Sequence, residues 1–404
     1  MMSRIDGKIR LVLFGLGNRG QKYLGWIRLN PEAVSLVAVV EPDRDRWNVL
    51  GKDFCGSIFS SPEEFFSGGA EADAVIISSP DRTHFPIAME AVSRRMHVLV
   101  EKPMATDADE CRALVRAAEE NAVNVSVCFV LRHHPFYRKL KQILELPGMG
   151  RVLSVNHIVN VGIDRAVHTF VRGLWSREED TCPVILSKCS HDVDLLIWLC
   201  SEDVKRVSSF GSTGLFVPQN APERSTGRCI TCPVERECAF SAVDLYVRRD
   251  DWNSFFPRRE GESRADAVRR ELESGAHGRC VFRCDNDVPD HQVLSMEMES
   301  GAVVSVLMNF LTLEDNRVTY FSCTGGEIWA DGKTIRHRLF SDGKMVVTDM
   351  EKASGGPLHA GADYAILEDF ISAIRDSSPL AGTSAREALG SHLACLEADD
   401  SNKK

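Results

Sequence analysis

The sequence predicts an α/β protein in two parts: an N-terminal doubly wound parallel sheet, followed by an α+β domain with a large open, mainly antiparallel sheet. Apolar, β-branched runs alternate with helical patterns over the first 130 residues, as expected for βαβ units on a parallel sheet buried on both faces. A glycine string, GLGNRG at 15–20, lies between the first run and the first helical pattern. After residue 150 the alternation gives way to longer strand-like runs, which suggest a separate layer of antiparallel strands.

The elements follow in order. Strands are expected at Ile9–Phe14, 35–40, 74–77, 97–100 and 124–130, with helices at 87–93 and 107–119 between them. The second half offers strands at 152–161, 206–210, 293–298, 303–309 and 318–322. At about 100–200 residues per domain, 404 residues divide into two parts, 1–130 and 131–404. Residues 212–290 are highly charged and look inserted.

Composition narrows the function. With 44% hydrophobic and 26% charged residues the chain can bury sizeable cores. Its net charge of −10 argues against a nucleic-acid face. No apolar stretch is long enough to span a bilayer and the N-terminus has no signal-peptide core, so no membrane partner and a cytoplasmic location are expected.

Gly15, Gly17 and Gly20 form GxGxxG between a strand and a helix, the context in which glycines let a pyrophosphate approach the backbone and a helix N-terminus offers it free N–H groups. This is the Rossmann fingerprint. Asn18 and Arg19 lie inside it. Glu41, at the end of the second strand, can accept bonds from the ribose hydroxyls and favours NAD; Arg44 and Arg46 nearby keep NADP open. At the end of the fourth strand stands Glu101-Lys102-Pro103. Strand C-termini face the ligand crevice, so the Lys102 ammonium could polarise a carbonyl or share an alcohol proton, or simply pair with an acid on the rim.

Together with SSPDRTH (78–84), EKP makes the chain resemble the Gfo/Idh/MocA oxidoreductases, the family of glucose-fructose oxidoreductase and inositol dehydrogenase. The likeness continues through FVLRHHPFYRKL (129–140), CTGGEIWADG (323–332) and DYAILEDFISAI (363–374). It implies that Lys102 is catalytic and that Ser79, Pro80, His84 and Glu101 line the cofactor site. It also implies a sugar or polyol substrate and a homodimer or homotetramer. In SKCSHDVDLLIWL (187–199), a helical pattern puts His191, Asp192 and Asp194 near the first turn; the two acids there would favour the helix dipole. The resemblance makes His191 the residue that helps move the hydroxyl proton. Where the family often carries an aspartate, four residues before this histidine, the chain has Ser187; Lys188 is expected to take part of that role. Arg132, His168, Arg172 and His291 are candidates for substrate contact, and Asp290 is a weaker one.

Cys229, Cys232 and Cys238 form CxxCx5C, and Cys280 and Cys284 follow at a distance. Three such thiolates plus a fourth from Cys280 or Cys284, with Cys280 preferred, would make a closed, structural zinc site that pins the insertion. An iron–sulfur cluster, a Cys229–Cys232 disulfide and unligated thiols are the alternatives. The expected activity is NAD(P)-dependent hydride transfer to or from a sugar or polyol. The competing readings are a non-catalytic NAD-binding regulator, an NAD-assisted glycoside hydrolase and a zinc-dependent hydrolase.

Overall fold

A computed structural model describes residues 7–403 except 70, 260, 355, 356 and 381, with the side chains of 357 and 358 also outside the description. Six strands, β1 (Ile9–Phe14), β2 (Val34–Val40), β3 (Ser57–Phe59), β4 (Ala74–Ile77), β5 (His97–Val100) and β6 (Val125–Val127), form one sheet in the order β3-β2-β1-β4-β5-β6. All its pairs are parallel. The strands IRLVLF and AVII are almost wholly buried, because helices cover both faces. The order reverses on either side of β1, and such a switch point opens a crevice at the strand C-termini.

The second sheet has eight strands: β7 (Val152–Val161), β8 (Val204–Ser212), β9 (His291–Met298), β10 (Val303–Asn309), β11 (Asp315–Cys323), β12 (Gly326–Ala330), β13 (Thr334–Leu339) and β14 (Val346–Asp349). Their order is β14-β13-β12-β11-β7-β10-β9-β8. All pairs are antiparallel except β7 with β10. Strands such as β9 alternate between buried and more exposed residues, so one face carries the core. The helix Val184–Cys200 contributes Leu186, Val193, Leu196 and Leu199 to that core.

Two C-terminal helices serve both halves. Ala362–Arg375 packs Ile366, Leu367, Phe370 and Ile374 against one face of the parallel sheet. Ala385–Asn402 gives Ala385 and Ala388 to the other face, then Ala394, Cys395 and Ala398 to the core of the second sheet. The charged insertion, poor in apolar residues, nonetheless holds a core of its own: Phe216, Leu245, Tyr246, Phe256, Leu272 and Phe282, joined by Val167 and Val171.

Candidate active site

Backbone geometry sets the nucleotide side. Gly15 has φ +90°, and a Cβ there would lie 2.8 Å from the Ser78 carbonyl oxygen; on Gly20 it would come within 2.0 Å of the Gly15 carbonyl. At Gly17 a Cβ would meet only Arg46 Nη1 at 3.5 Å, so the middle glycine borders open space. Gly17 also begins the helix Asn18–Leu29 without a side-chain cap. Helix amides left in that way attract an anion. Asn18 is exposed at the head of this helix.

Glu41 is buried, and its carboxylate accepts the amides of Leu16 (2.6 Å) and Asp43 (2.9 Å). These bonds tie the end of β2 to the glycine turn and leave lone pairs over for ribose hydroxyls. Arg46 pairs with Asp43 at 3.2 Å and lies 4.0 Å from Glu41, while Arg44 stacks over Trp47. The residues present therefore fit a nicotinamide dinucleotide, held by the glycine turn and by Glu41.

Several expected cofactor residues are bonded within the protein. Arg19 does not reach for a phosphate: it donates to Glu101, to Asp363 (2.6 Å) and to the Tyr23 hydroxyl (2.8 Å). Glu101 is buried and also accepts from Tyr23. Burial opposes its charge, yet Arg19 and Tyr23 hold its carboxyl below the usual range. Both nitrogens of His84 are engaged, Nδ1 with the Pro103 carbonyl (2.7 Å) and Nε2 with that of Ser79 (2.8 Å). His84 thus joins the loop after β4, which includes Pro80, to the loop after β5. The Ser79 hydroxyl bonds Thr83 at 2.6 Å.

Lys102 follows β5, and its peptide bond to Pro103 is cis. Its Nζ donates to the backbone carbonyl of Ser187. Lys102 and the 187–191 segment, about 90 residues apart in the chain, therefore meet. Ser187 is buried, with its hydroxyl turned back to the Val184 carbonyl at 3.4 Å. Where the resembling family often carries an aspartate, the backbone carbonyl of Ser187 faces the lysine.

The helix starts at Val184 rather than near Ser187, which places His191, Asp192 and Asp194 well inside it. The acids do not serve the dipole. Asp192 accepts from His157 Nε2 (3.0 Å) and from Arg317. Asp194 takes Arg132 bidentately at 2.8 and 2.7 Å. His191 Nδ1 is buried without a partner among the described residues, and the ring lies 5.5 Å from that of Phe129. Burial, with Lys102 and Arg317 adding repulsion, holds His191 well below the usual histidine range; it stands neutral at pH 7. Burial likewise pushes the Lys188 amine down to about 8, with Arg317 contributing.

The substrate candidates are dispersed. Arg132 is spent on Asp194 and on the Gly382 carbonyl. His168 is enclosed in the insertion by Tyr246, Trp252, Phe256 and His277. Arg172 is fully buried beside Cys229. His291 bonds Asp290 at 2.6 Å, and Asp290 in turn accepts the amides of Gly214 and Leu215. Among the described residues none of these four bonds to Lys102. Arg317 and His157 were missed because they sit within strand patterns that mark them only as alternate-face polar residues.

Among the described residues all thirteen cysteines are free, so Cys229 and Cys232 are not a disulfide. No group of three or more His, Cys, Asp or Glu stands ready to hold a metal ion among the described residues; the expected tetrahedral zinc site is not assembled. Cys229, Cys232, Cys238 and Cys280 do line a single cavity of about 20 Å³. Cys284 instead donates to the Cys280 carbonyl at 3.3 Å.

No helix among the described residues is long and apolar enough to cross a membrane. Residues 9–129 match the model of an oxidoreductase family with an NAD-binding Rossmann fold. Inositol 2-dehydrogenase 4 of Saccharopolyspora erythraea is 26% identical over 243 residues, 58% of this chain and 68% of that protein. Two solved structures share the fold. One is an oxidoreductase from Agrobacterium radiobacter in complex with NAD+, L-tartaric acid and magnesium: TM-score 0.70, 14% identity, 98% of this chain and 97% of that one. The other is the WlbA dehydrogenase from Chromobacterium violaceum in complex with NADH and UDP-GlcNAcA: TM-score 0.69, 19% identity, 100% and 96% covered. Residues 9–129, which hold the glycine turn and the EKP segment, match the Gfo/Idh/MocA family of oxidoreductases with an NAD-binding Rossmann fold.

Proposed function

We propose that the protein is a dehydrogenase that moves a hydride between a nicotinamide and a carbon of a sugar, polyol or derivative. The supporting observation is the meeting of Lys102 with the backbone of Ser187, one turn ahead of His191. When bound, the cofactor supplies the acceptor or donor of the hydride. Gly17 leaves room for its pyrophosphate and Glu41 receives its ribose.

In this reading the neutral His191 imidazole accepts the proton of the substrate hydroxyl. The Lys102 ammonium stabilises the oxygen as it loses that proton. Lys102 is held by a carbonyl, so its charge is not quenched by a carboxylate and remains available to the substrate. Lys188 lies on the same helix three residues before His191, which suits it to hold a second hydroxyl. Its lowered affinity for protons lets it accept as well as donate a hydrogen bond near pH 8. Polar contacts of this kind suit a hydroxyl-rich substrate, and NAD is the favoured cofactor because Arg44 and Arg46 are engaged locally.

NADH formation across a panel of monosaccharides, anhydrosugars and inositols tests the reading. Turnover with at least one member is expected. Tight NAD binding with no turnover on any of them would support a non-catalytic NAD-binding protein instead.

A further inference from the structure

The insertion raises a question of charge. Arg172 is among the largest fully buried side chains, at 1% exposure. Its Nε donates to the Arg279 carbonyl (2.8 Å) and its Nη2 to the Phe240 carbonyl (2.7 Å) and Cys229 Sγ (3.6 Å). Its Nη1 is buried and has no partner among the described residues. Among the described residues it meets no carboxylate. A buried guanidinium held by carbonyls and a thiol, with no carboxylate beside it among the described residues, is costly, because burial of a charge is tolerated when an opposite charge is near.

The surrounding residues can supply that charge. Arg172 lines the same cavity of about 20 Å³ as Cys229, Cys232, Cys238 and Cys280, a volume suited to one ion. The two cysteine-bearing segments are pinned just before their thiols: Arg228 bridges Arg279, and the Cys280 amide donates to Gly227 at 2.9 Å. The Ala242 amide is directed at Cys229 Sγ at 3.5 Å. Amides and a guanidinium aimed at sulfur are the surroundings that stabilise thiolates bound to a metal. The thiols line the cavity without being gathered as a ligand set, so metal binding would have to draw them inward.

We propose that Cys229, Cys232, Cys238 and Cys280 bind one zinc ion as a tetrathiolate, with Arg172 as its buried counter-charge. Four thiols release four protons to solvent as the ion enters. The product carries two negative charges in place of none, and Arg172 offsets one of them. The site has no open position, so it holds the insertion together and takes no part in the hydride step.

The test is the metal content and sulfur coordination of the full-length protein. One zinc per chain is expected by elemental analysis, with X-ray absorption giving four sulfur ligands at about 2.3 Å. Cys232→Ser and Cys238→Ser should lose the zinc while Cys284→Ser keeps it, and Arg172→Met should weaken zinc affinity about 10–100-fold. If the cysteine variants fail to fold, the absorption spectrum of the unaltered chain still decides. No zinc after reconstitution, oxygen or nitrogen ligands, a visible iron–sulfur spectrum, or Cys232→Ser retaining full zinc would each overturn the proposal.

Discussion

The two sides of the crevice handle charge differently. On the nucleotide side, cations are matched with acids: Arg19 with Glu101 and Asp363, and Arg46 with Asp43. On the substrate side Arg317 and Arg132 are likewise matched by Asp192 and Asp194, but Lys102 rests on a carbonyl and His191 Nδ1 has no partner among the described residues. Buried polar groups are nearly always satisfied, so an unsatisfied one marks either strain or a place kept for something else. The matched groups build the crevice, and the unmatched ones are the candidates for chemistry.

Substitutions on each side should therefore fail in different ways. The largest effect is expected for Lys102→Ala: kcat falls about 10²–10⁴-fold, while NAD affinity from fluorescence titration stays close to that of the unaltered protein. A large loss of NAD binding would move Lys102 to the matched side of the comparison. Arg19→Met should do the reverse. It strands two buried carboxylates and costs about 3–5 kcal/mol of stability, read as a shift of the denaturant midpoint.

The glycines sharpen the same contrast on a smaller scale. Gly20→Ala drives a Cβ into the Gly15 carbonyl and should cost about 1–3 kcal/mol. Gly17→Ala meets little protein and should change stability by less than about 0.5 kcal/mol, yet weaken NAD binding. Calorimetry with and without NAD separates these outcomes.

The smallest effect concerns Lys188. Its amine is pushed down to about 8 from 10.5, so the unfolded chain binds more protons between those values and stability rises with pH across that window. Lys188→Met should flatten the rise, and should also remove any limb near pH 8 from the kcat/KM profile. An unchanged pH–stability slope would mean that Lys188 is better solvated than its position in the helix implies.

Much of this was legible in the sequence, and where it was not the reason is physical. β1, β4 and β5 fall on their expected residues because buried parallel strands are continuous apolar runs. The expected strand at 124–130 ends at Val127, and the chain then turns into a short 3₁₀ segment at Val130–His133; apolar residues filling a buried turn resemble a strand. β3 and β12–β14 escaped because short or edge strands such as VVTD carry no clear alternation. At the candidate site, Lys102 and His191 were singled out through motifs, whereas the partners of Asp192 were not. An ion pair between a helix and β11 leaves no local spacing to read. His168 and Arg172 were misplaced for the opposite reason: a polar residue buried in a small core looks in sequence like one facing a ligand.

The helix Ala385–Asn402 has a practical consequence. Its first turns wall the parallel sheet and its later turns wall the second sheet. Cutting the gene after the sixth strand would give two fragments, each missing part of its packing. The N-terminal fragment would lack the last 40 or so residues that close its core, and should be expressed with them fused back on if it is to stand alone.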